Sequence, residues 1–452
     1  MLNKNISFYS IAAIGFMLFA LFFGAGNLIF PAHLGQIAGD NIFSAGFGFL
    51  VTGVGLPLFG VLAIAYSGSD NLQDLSSRVH PVYGVLFTAL LYLSIGPFFA
   101  APRTGTVAYE VGIAPFVSEG FMDKGLLIFT FIFFIVVLLF SLFPAKLVQN
   151  IGKILAPLLI VLLGILLTVA VLNPMGEIGE PLEGYTEIST AFTNGFLEGY
   201  NTMDALASLV FAIIIINAIN SFGIKDPKQV FASVAKAGII SSILLAVIYG
   251  GIMYLGGMSV SEMEIFDNGG PVLNGVADYY FGTFGAIILA GVIILACLTT
   301  AIGLVIANAE YFNLLIPAIS YKAFVVIFTT FTFIVANFGL DNIITYSLPV
   351  LMFLYPLAIV IILLAFTSKL FNDARIVYVI TIFLTFCISI FDGLTTLTDS
   401  LEIDNFAWMN PVIDFYDRIL PLYDADLGWF VPALVVIAIG IVVSFIRKAV
   451  KN

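Results

Sequence analysis

Residues 342–366 read NIITYSLPVLMFLYPLAIVIILLAF, a run with no charged side chain. It is long enough to cross a membrane, since about 20 apolar residues span a ~30 Å hydrocarbon core as a helix. Comparable runs, bounded by turn signals, recur near 8–34, 42–66, 82–110, 125–143, 150–172, 190–222, 230–256, 284–315, 320–338, 374–391 and 427–446. In lipid, backbone N–H and C=O groups must be satisfied within the segment, so such runs form helices. The chain is 61% hydrophobic and 10% charged, with a mean hydropathy of +1.12. A soluble domain carries about 25% charged residues. These observations predict one all-α polytopic membrane domain of about twelve spans covering 1–452. The first run follows a lone Lys4, exceeds a signal-peptide core and lacks a small-residue cleavage site, so it reads as a retained span.

The basic residues predict an orientation. With both termini cytoplasmic, Lys4, Arg78, Lys146, Lys153, Lys225, Lys228, Lys236, Lys322, Lys369, Arg375, Arg447, Lys448 and Lys451 lie on the inner side. Only Arg103, Lys124 and Arg418 fall elsewhere, which follows the positive-inside rule. Acids gather outside, at Glu177, Glu180, Glu183 and Glu187 and at Glu262, Glu264 and Asp267. The outer loop 392–426 contains WMNPVIDFYDRILPLY, whose aromatic residues suit a segment lying at the interface. The net charge of −12 argues against a nucleic-acid partner. Cys297 and Cys387 sit in apolar runs and His33 and His80 are the only histidines, so no metal-ligand spacing or disulfide framework is present.

Two spans are interrupted. The first carries FFGAGNLIFP (22–31), and the sixth carries Gly195, Gly199, Asn201 and Asp204. They are five spans apart. Five is odd, so a second five-span unit enters the membrane from the opposite side, and two such units form an inverted repeat. Unwound backbone costs several kcal/mol per unpaired group in lipid. It survives where it is buried in protein or lines a cavity, and matched breaks in the two halves point to a transporter substrate site. For one glycine pair alone, close helix packing is the better account; the matched breaks reverse that preference. The expected site uses the N–H groups of Gly24, Ala25 and Gly26 for a carboxylate. The carbonyls of Gly199, Tyr200, Asn201, Thr202 and Met203 would take an ammonium. Phe98, Phe99 and Phe196 would surround an aliphatic tail.

Three blocks, GFMLFALFFGAGNLIFPAHLGQIAG (15–39), LYLSIGPFFAAPRTGTVAYEVGI (91–113) and GYNTMDALASLVFAIIIINAI (199–219), closely resemble the branched-chain amino acid:cation symporter family. The likeness runs along essentially the whole chain. It implies a LeuT-type fold in a bacterial cell membrane, with repeats near 8–172 and 190–366 and peripheral helices near 374–391 and 427–446. It also implies uptake of leucine, isoleucine and valine driven by Na⁺ or H⁺, with no other cofactor.

Ala296-x-x-Thr299-Thr300 in the eighth span resembles half of a LeuT-type sodium site. By position, the carbonyls of Ala20 and Phe23 complete it. Two hydroxyls and three carbonyls offer the oxygens a hard cation wants, although threonine in a membrane helix often bonds back to its own backbone. A proton-coupled carrier of these or other small apolar amino acids would use a titratable group instead: Glu198, Asp204, Glu310 or His33. Arg103 reads either as a side chain reaching the outer interface or as a gate paired with Glu110, Glu198 or Asp204. Asp204 could also cap the inner half-helix. Asn27 either caps the outer half-helix or lends its amide oxygen to a second ion. A channel would more often show rings of charge. An enzyme would need an acid/base pair or an activated nucleophile, and the scattered acids supply neither.

Overall fold

The computed structural model describes residues 7–69, 71–143, 147–404 and 406–451. Lys4 and Lys146 of the charge tally lie outside them. The first span divides into α1 (Phe8–Phe22) and α2 (Gly26–Ala38). The second is α3 (Ile42–Leu50) and α4 (Leu56–Ser67), joined by a π turn. After a short α5 (Leu72–Ser77), the third span is α6 (Pro81–Leu93) and α7 (Ala100–Gly112) around a second π turn. Next come α8 (Met122–Ser141) and α9 (Leu147–Leu172). The sixth span is α10 (Ile188–Glu198) and α11 (Asp204–Ser221), separated by a 3-10 turn, Gly199–Thr202. Then follow α12 (Pro227–Ser259), α13 (Gly269–Leu315), α14 (Tyr321–Ala336), α15 (Leu340–Thr367), α16 (Arg375–Ser400), the short α17 (Asn410–Ile419) and α18 (Phe430–Lys451).

Several starts follow from local capping chemistry: Ser7, Asn71, Asp226, Asn268 and Ser320 each accept a first-turn N–H. Among the described residues nine stretches are long and apolar enough to cross a membrane, and Phe8–Phe22, Ile160–Leu172 and Tyr321–Ala336 are shorter apolar helices. One difference from expectation lies before the eighth span. Gly282, with φ +61°, kinks α13, and the preceding turns bury Val272, Leu273 and Val276. That segment is a packed helix and not a loop. In α16 the helix runs on to Ser400, past the expected end at 391.

Each broken span packs along the second span of the other half. Both α1 and α2 lie against α12, while α10 lies against α3 and α11 against α4. Glycine makes two of these crossings close. A Cβ added at Gly35 would lie 2.0 Å from the Met253 carbonyl, and one at Gly256 2.0 Å from that of Ala32. The α3–α10 crossing is built the same way, with Gly195 against the Ala45 carbonyl and Gly48 against that of Phe192. Small residues let helix backbones approach where lipid gives no hydrophobic drive to association. These contacts hold the two breaks side by side.

Candidate substrate site at the two helix breaks

At the first break, Phe23 leaves the helix with φ −71° and ψ 95°. The Gly24 N–H therefore cannot return to Ala20, and it donates instead to Asn27 Oδ1 at 2.8 Å. Two consequences follow. The Ala20 carbonyl has no N–H four residues on to take it, and the N–H groups of Ala25, Gly26 and Asn27 stand unpaired at the start of α2 among the described residues. A helix N-terminus of this kind attracts anions.

Asn27 does more than cap. Its amide nitrogen donates to Asp204 Oδ2 at 2.5 Å and to the Tyr249 hydroxyl. Tyr249 in turn donates to the same carboxylate oxygen at 2.9 Å. This triad of α2, α11 and α12 is fully buried and links the two breaks directly. The Asn27 amide oxygen accepts from the Gly24 N–H. Asp204 does not cap α11, because its side chain reaches across to α2 and its N–H meets Thr202 Oγ1 at 3.4 Å.

The second break uses up most of its own carbonyls. Gly199 O accepts from Thr202 Oγ1 at 2.9 Å, Tyr200 O from the Met203 N–H at 3.0 Å and Met203 O from the Ala207 N–H at 2.9 Å. Asn201 O accepts from Arg103 Nη1 at 2.5 Å. Thr202 is the one residue of the five whose carbonyl has no donor among the described residues. Met203 sits in the left-handed region at φ +60°, and this reverses the chain into α11. The expected ammonium site of five carbonyls therefore narrows to Thr202. Gly199 packs on span 2, where a Cβ would lie 1.9 Å from Thr52 Oγ1. Tyr200 stacks on Tyr355 at 4.0 Å.

Both breaks face one cavity of about 30 Å³. One water needs roughly 10–15 Å³, so in this conformation the cavity is closed down and the helices must part to admit an amino acid. Gly24, Ala25, Gly26, Asn27, Thr202, Met203 and Asp204 line it. Its apolar wall is Phe22, Ile95, Ala207, Phe211 and Leu304, none of which the residue pattern singles out.

Phe98 is not part of that wall. The π turn at Ser94–Phe98, with Gly96 at ψ −118°, turns its ring outward onto Phe331, and the residue is 37% exposed. Phe196 packs behind the break on Tyr200 and does not line the cavity. Neither does Phe99, whose ring lies against Phe98.

Arg103 corrects both of its expected roles. It is 2% exposed, so it does not reach the outer interface. Among the described residues it forms no ion pair. Glu198 is engaged by Asn201 Nδ2 at 3.0 Å, and Glu110 faces Asn268 and the Leu340 backbone. Glu310 is exposed and lies off the cavity.

The eighth span meets the first break through Thr300, whose hydroxyl donates to Phe23 O at 3.4 Å. A Cβ on Gly24 would press on the same hydroxyl at 3.1 Å. Thr299 donates to Ala296 O at 2.7 Å, within its own helix. The structure thus joins Phe23 and Thr300 and leaves the Ala20 carbonyl open close by.

A polytopic helical bundle with two unwound spans meeting at one cavity has the LeuT-type fold. Mhp1, a nucleobase-cation-symport-1 family transporter, superposes in its inward-facing conformation with a TM-score of 0.59. That match is 13% identical and covers 97% of this chain and 90% of that one. The sequence carries the identification further: the chain belongs to the branched-chain amino acid transport protein family, whose profile matches residues 7–447. It is 46% identical over 446 residues to the branched-chain amino acid permease BrnQ of Bacillus subtilis, covering 99% of each chain. It is 47% identical over 432 residues to the permease BraB of the same organism, covering 95% of this chain and 94% of that one.

Proposed function

We propose that the protein carries leucine, isoleucine and valine into the cell by cation-coupled alternating access. The observation that carries this reading is the meeting of the two breaks. One presents unpaired N–H groups, the other an unpaired carbonyl and a carboxylate, and apolar side chains line the cavity they share. A zwitterion with an aliphatic side chain matches all three. The N–H groups of Ala25 and Gly26 hold the carboxylate, and the Thr202 carbonyl with Asp204 holds the ammonium. Ile95, Ala207, Phe211 and Leu304 surround the side chain. The repeats run near 8–172 and 190–366, consistent with the exchanged packing of spans 1 with 7 and 6 with 2. Both termini are cytoplasmic, by the distribution of Lys and Arg.

We assign the coupling ion as Na⁺, bound between α1 and α13. The Phe23 and Ala20 carbonyls and the Thr300 hydroxyl are its nearest oxygens, with Ala296 and Thr299 completing the set once the Thr299 hydroxyl turns from its own helix. Their chemistry suits a hard cation, which wants neutral and anionic oxygens. A proton-coupled reading is favoured by one observation, the burial of Asp204 in the cavity itself, since intramembrane carboxylates commonly relay protons.

Uptake into proteoliposomes under separately imposed Na⁺ and pH gradients tests both readings. The Na⁺ gradient alone is expected to drive saturable leucine accumulation, with the substrate recovered unchanged. Accumulation driven only by the pH gradient would move the coupling to Asp204. No accumulation of any branched-chain amino acid under either gradient would overturn the transport reading.

A further inference from the structure

We propose that Arg103 is itself a ligand for the substrate carboxylate, so that the cavity recognises a zwitterion between Arg103 and Asp204. This deepens the substrate site proposed above and rests on it.

The guanidinium is 2% exposed. Its partners are all neutral: the Asn201 carbonyl at 2.5 Å, Ser347 Oγ at 3.2 Å and the face of the Phe30 ring at 5.1 Å. Ser347 spends its own hydrogen on Ile344 O at 2.8 Å, so it accepts from the arginine. Arg103 Nε is buried with no partner. A guanidinium carries five N–H donors in a planar fork that matches a carboxylate bidentately. A buried cation without an anion is costly, and removal of its counter-charge is the most expensive way to break such a pair. Here no carboxylate among the described residues forms an ion pair with Arg103. The incoming ligand provides the counter-charge.

Position supports the same conclusion. Arg103 lines the cavity, and a Cβ on Gly26 would lie 3.4 Å from its Nη1. The fork therefore sits beside the unpaired N–H groups that open α2. Two independent anion donors, a helix N-terminus and a guanidinium, lie side by side in the cavity lining. Asp204 and Thr202 belong to the same lining, with Asp204 held by Asn27 and Thr202 next to the Asn201 carbonyl that Arg103 takes. A ligand with a carboxylate and an ammonium satisfies both sets of groups. A branched 2-oxo acid leaves Asp204 unmet, and a branched amino alcohol leaves Arg103 unmet. Arg103 also touches the second break through Asn201, so a carboxylate that draws the fork toward α2 competes with that carbonyl.

The test is equilibrium binding to the purified protein in lipid nanodiscs, with leucine, leucinol and 4-methyl-2-oxopentanoate as probes, and ligand-induced change in Tm as a second readout at saturating concentration. Wild type is expected to bind leucine at least about 100-fold more tightly than either analogue. Arg103→Gln should weaken leucine by about 100-fold while leucinol changes by no more than about threefold. A merely structural arginine would weaken both in parallel, and that result overturns the proposal, as does a leucine affinity unchanged in Arg103→Gln. If Arg103→Gln does not fold, Arg103→Lys keeps the charge and loses the fork. It must then lose leucine affinity selectively over leucinol, or the proposal fails. Ala207→Phe, which fills the apolar wall, separates this inference from the one beneath it. Leucine binding undiminished in Ala207→Phe overturns the site, whereas loss there with retention in Arg103→Gln overturns Arg103 alone.

Discussion

The two helix breaks look alike in sequence and behave differently in space. In the first, one side chain, Asn27, takes the Gly24 N–H and leaves three N–H groups of α2 open. In the second, the chain folds into a 3-10 turn that consumes four of its five carbonyls, through Thr202, Met203, Ala207 and Arg103. The first break is thus a donor surface awaiting an acceptor. The second is a mostly self-satisfied turn whose free groups are one carbonyl and the Asp204 side chain. The glycines differ in the same sense. Gly26 borders the cavity, with Phe30 and Arg103 as its neighbours, whereas Gly199 is a packing glycine held against Thr52 and the Phe49 carbonyl. A glycine in a broken membrane helix therefore has two separate uses, exposing backbone to a ligand and admitting a neighbouring helix.

That contrast can be broken by substitution. Gly26→Leu should have the largest effect. It places a branched side chain in the cavity against Phe30 and Arg103, so leucine binding is abolished while the protein still reaches the membrane folded. Undiminished leucine binding by this variant would remove the first break from the site. Thr300→Ala comes next. Loss of one hydroxyl from the proposed cation site should raise the Na⁺ concentration for half-maximal uptake by roughly threefold to tenfold, the size of one hydrogen-bond-scale contact. An unchanged Na⁺ dependence of initial rates counts against the α1–α13 site.

Gly199→Ala should show the opposite profile. The added methyl meets Thr52 Oγ1 at 1.9 Å, an overpacking worth about 1–3 kcal/mol. The thermal midpoint should fall while the folded fraction keeps its leucine Kd. A Kd that rises with an unchanged midpoint would mean that Gly199 faces the ligand after all. Phe98→Ala should do least. Its ring rests on Phe331 and not on the cavity, so leucine affinity should stay within about twofold, the usual range for an exposed site. A larger loss would return Phe98 to the pocket.

Much of the architecture is legible in the sequence because lipid leaves the backbone few options. Apolar runs give the spans, and the glycines at 24, 26 and 199 mark the breaks. Fine assignment inside the breaks is less legible. The Asn27–Asp204–Tyr249 triad joins residues 177 and 222 positions apart from Asn27. One signal for it does exist. Tyr249 is a hydroxyl in the middle of the apolar stretch ILLAVIYGGIMYLG, and a polar group at that depth needs a buried partner. The apolar wall carries no such signal, because Ile95, Phe211 and Leu304 are ordinary residues of membrane helices until tertiary contact turns them toward one cavity. Phe98 failed as a pocket residue for a local reason. A π turn inserts extra backbone into the third span and rotates every side chain after it.

The sequence by itself determined that this chain is a helical membrane transporter broken at two matched places, since unpaired backbone in hydrocarbon is too costly to occur without a purpose. Only the tertiary structure decided which exposed groups remain for a ligand. Hydrogen bonds are claimed pairwise, and the claimants lie in distant spans. Asn27 takes Gly24, Arg103 takes Asn201, and the N–H groups of α2 and the carbonyl of Thr202 are left open.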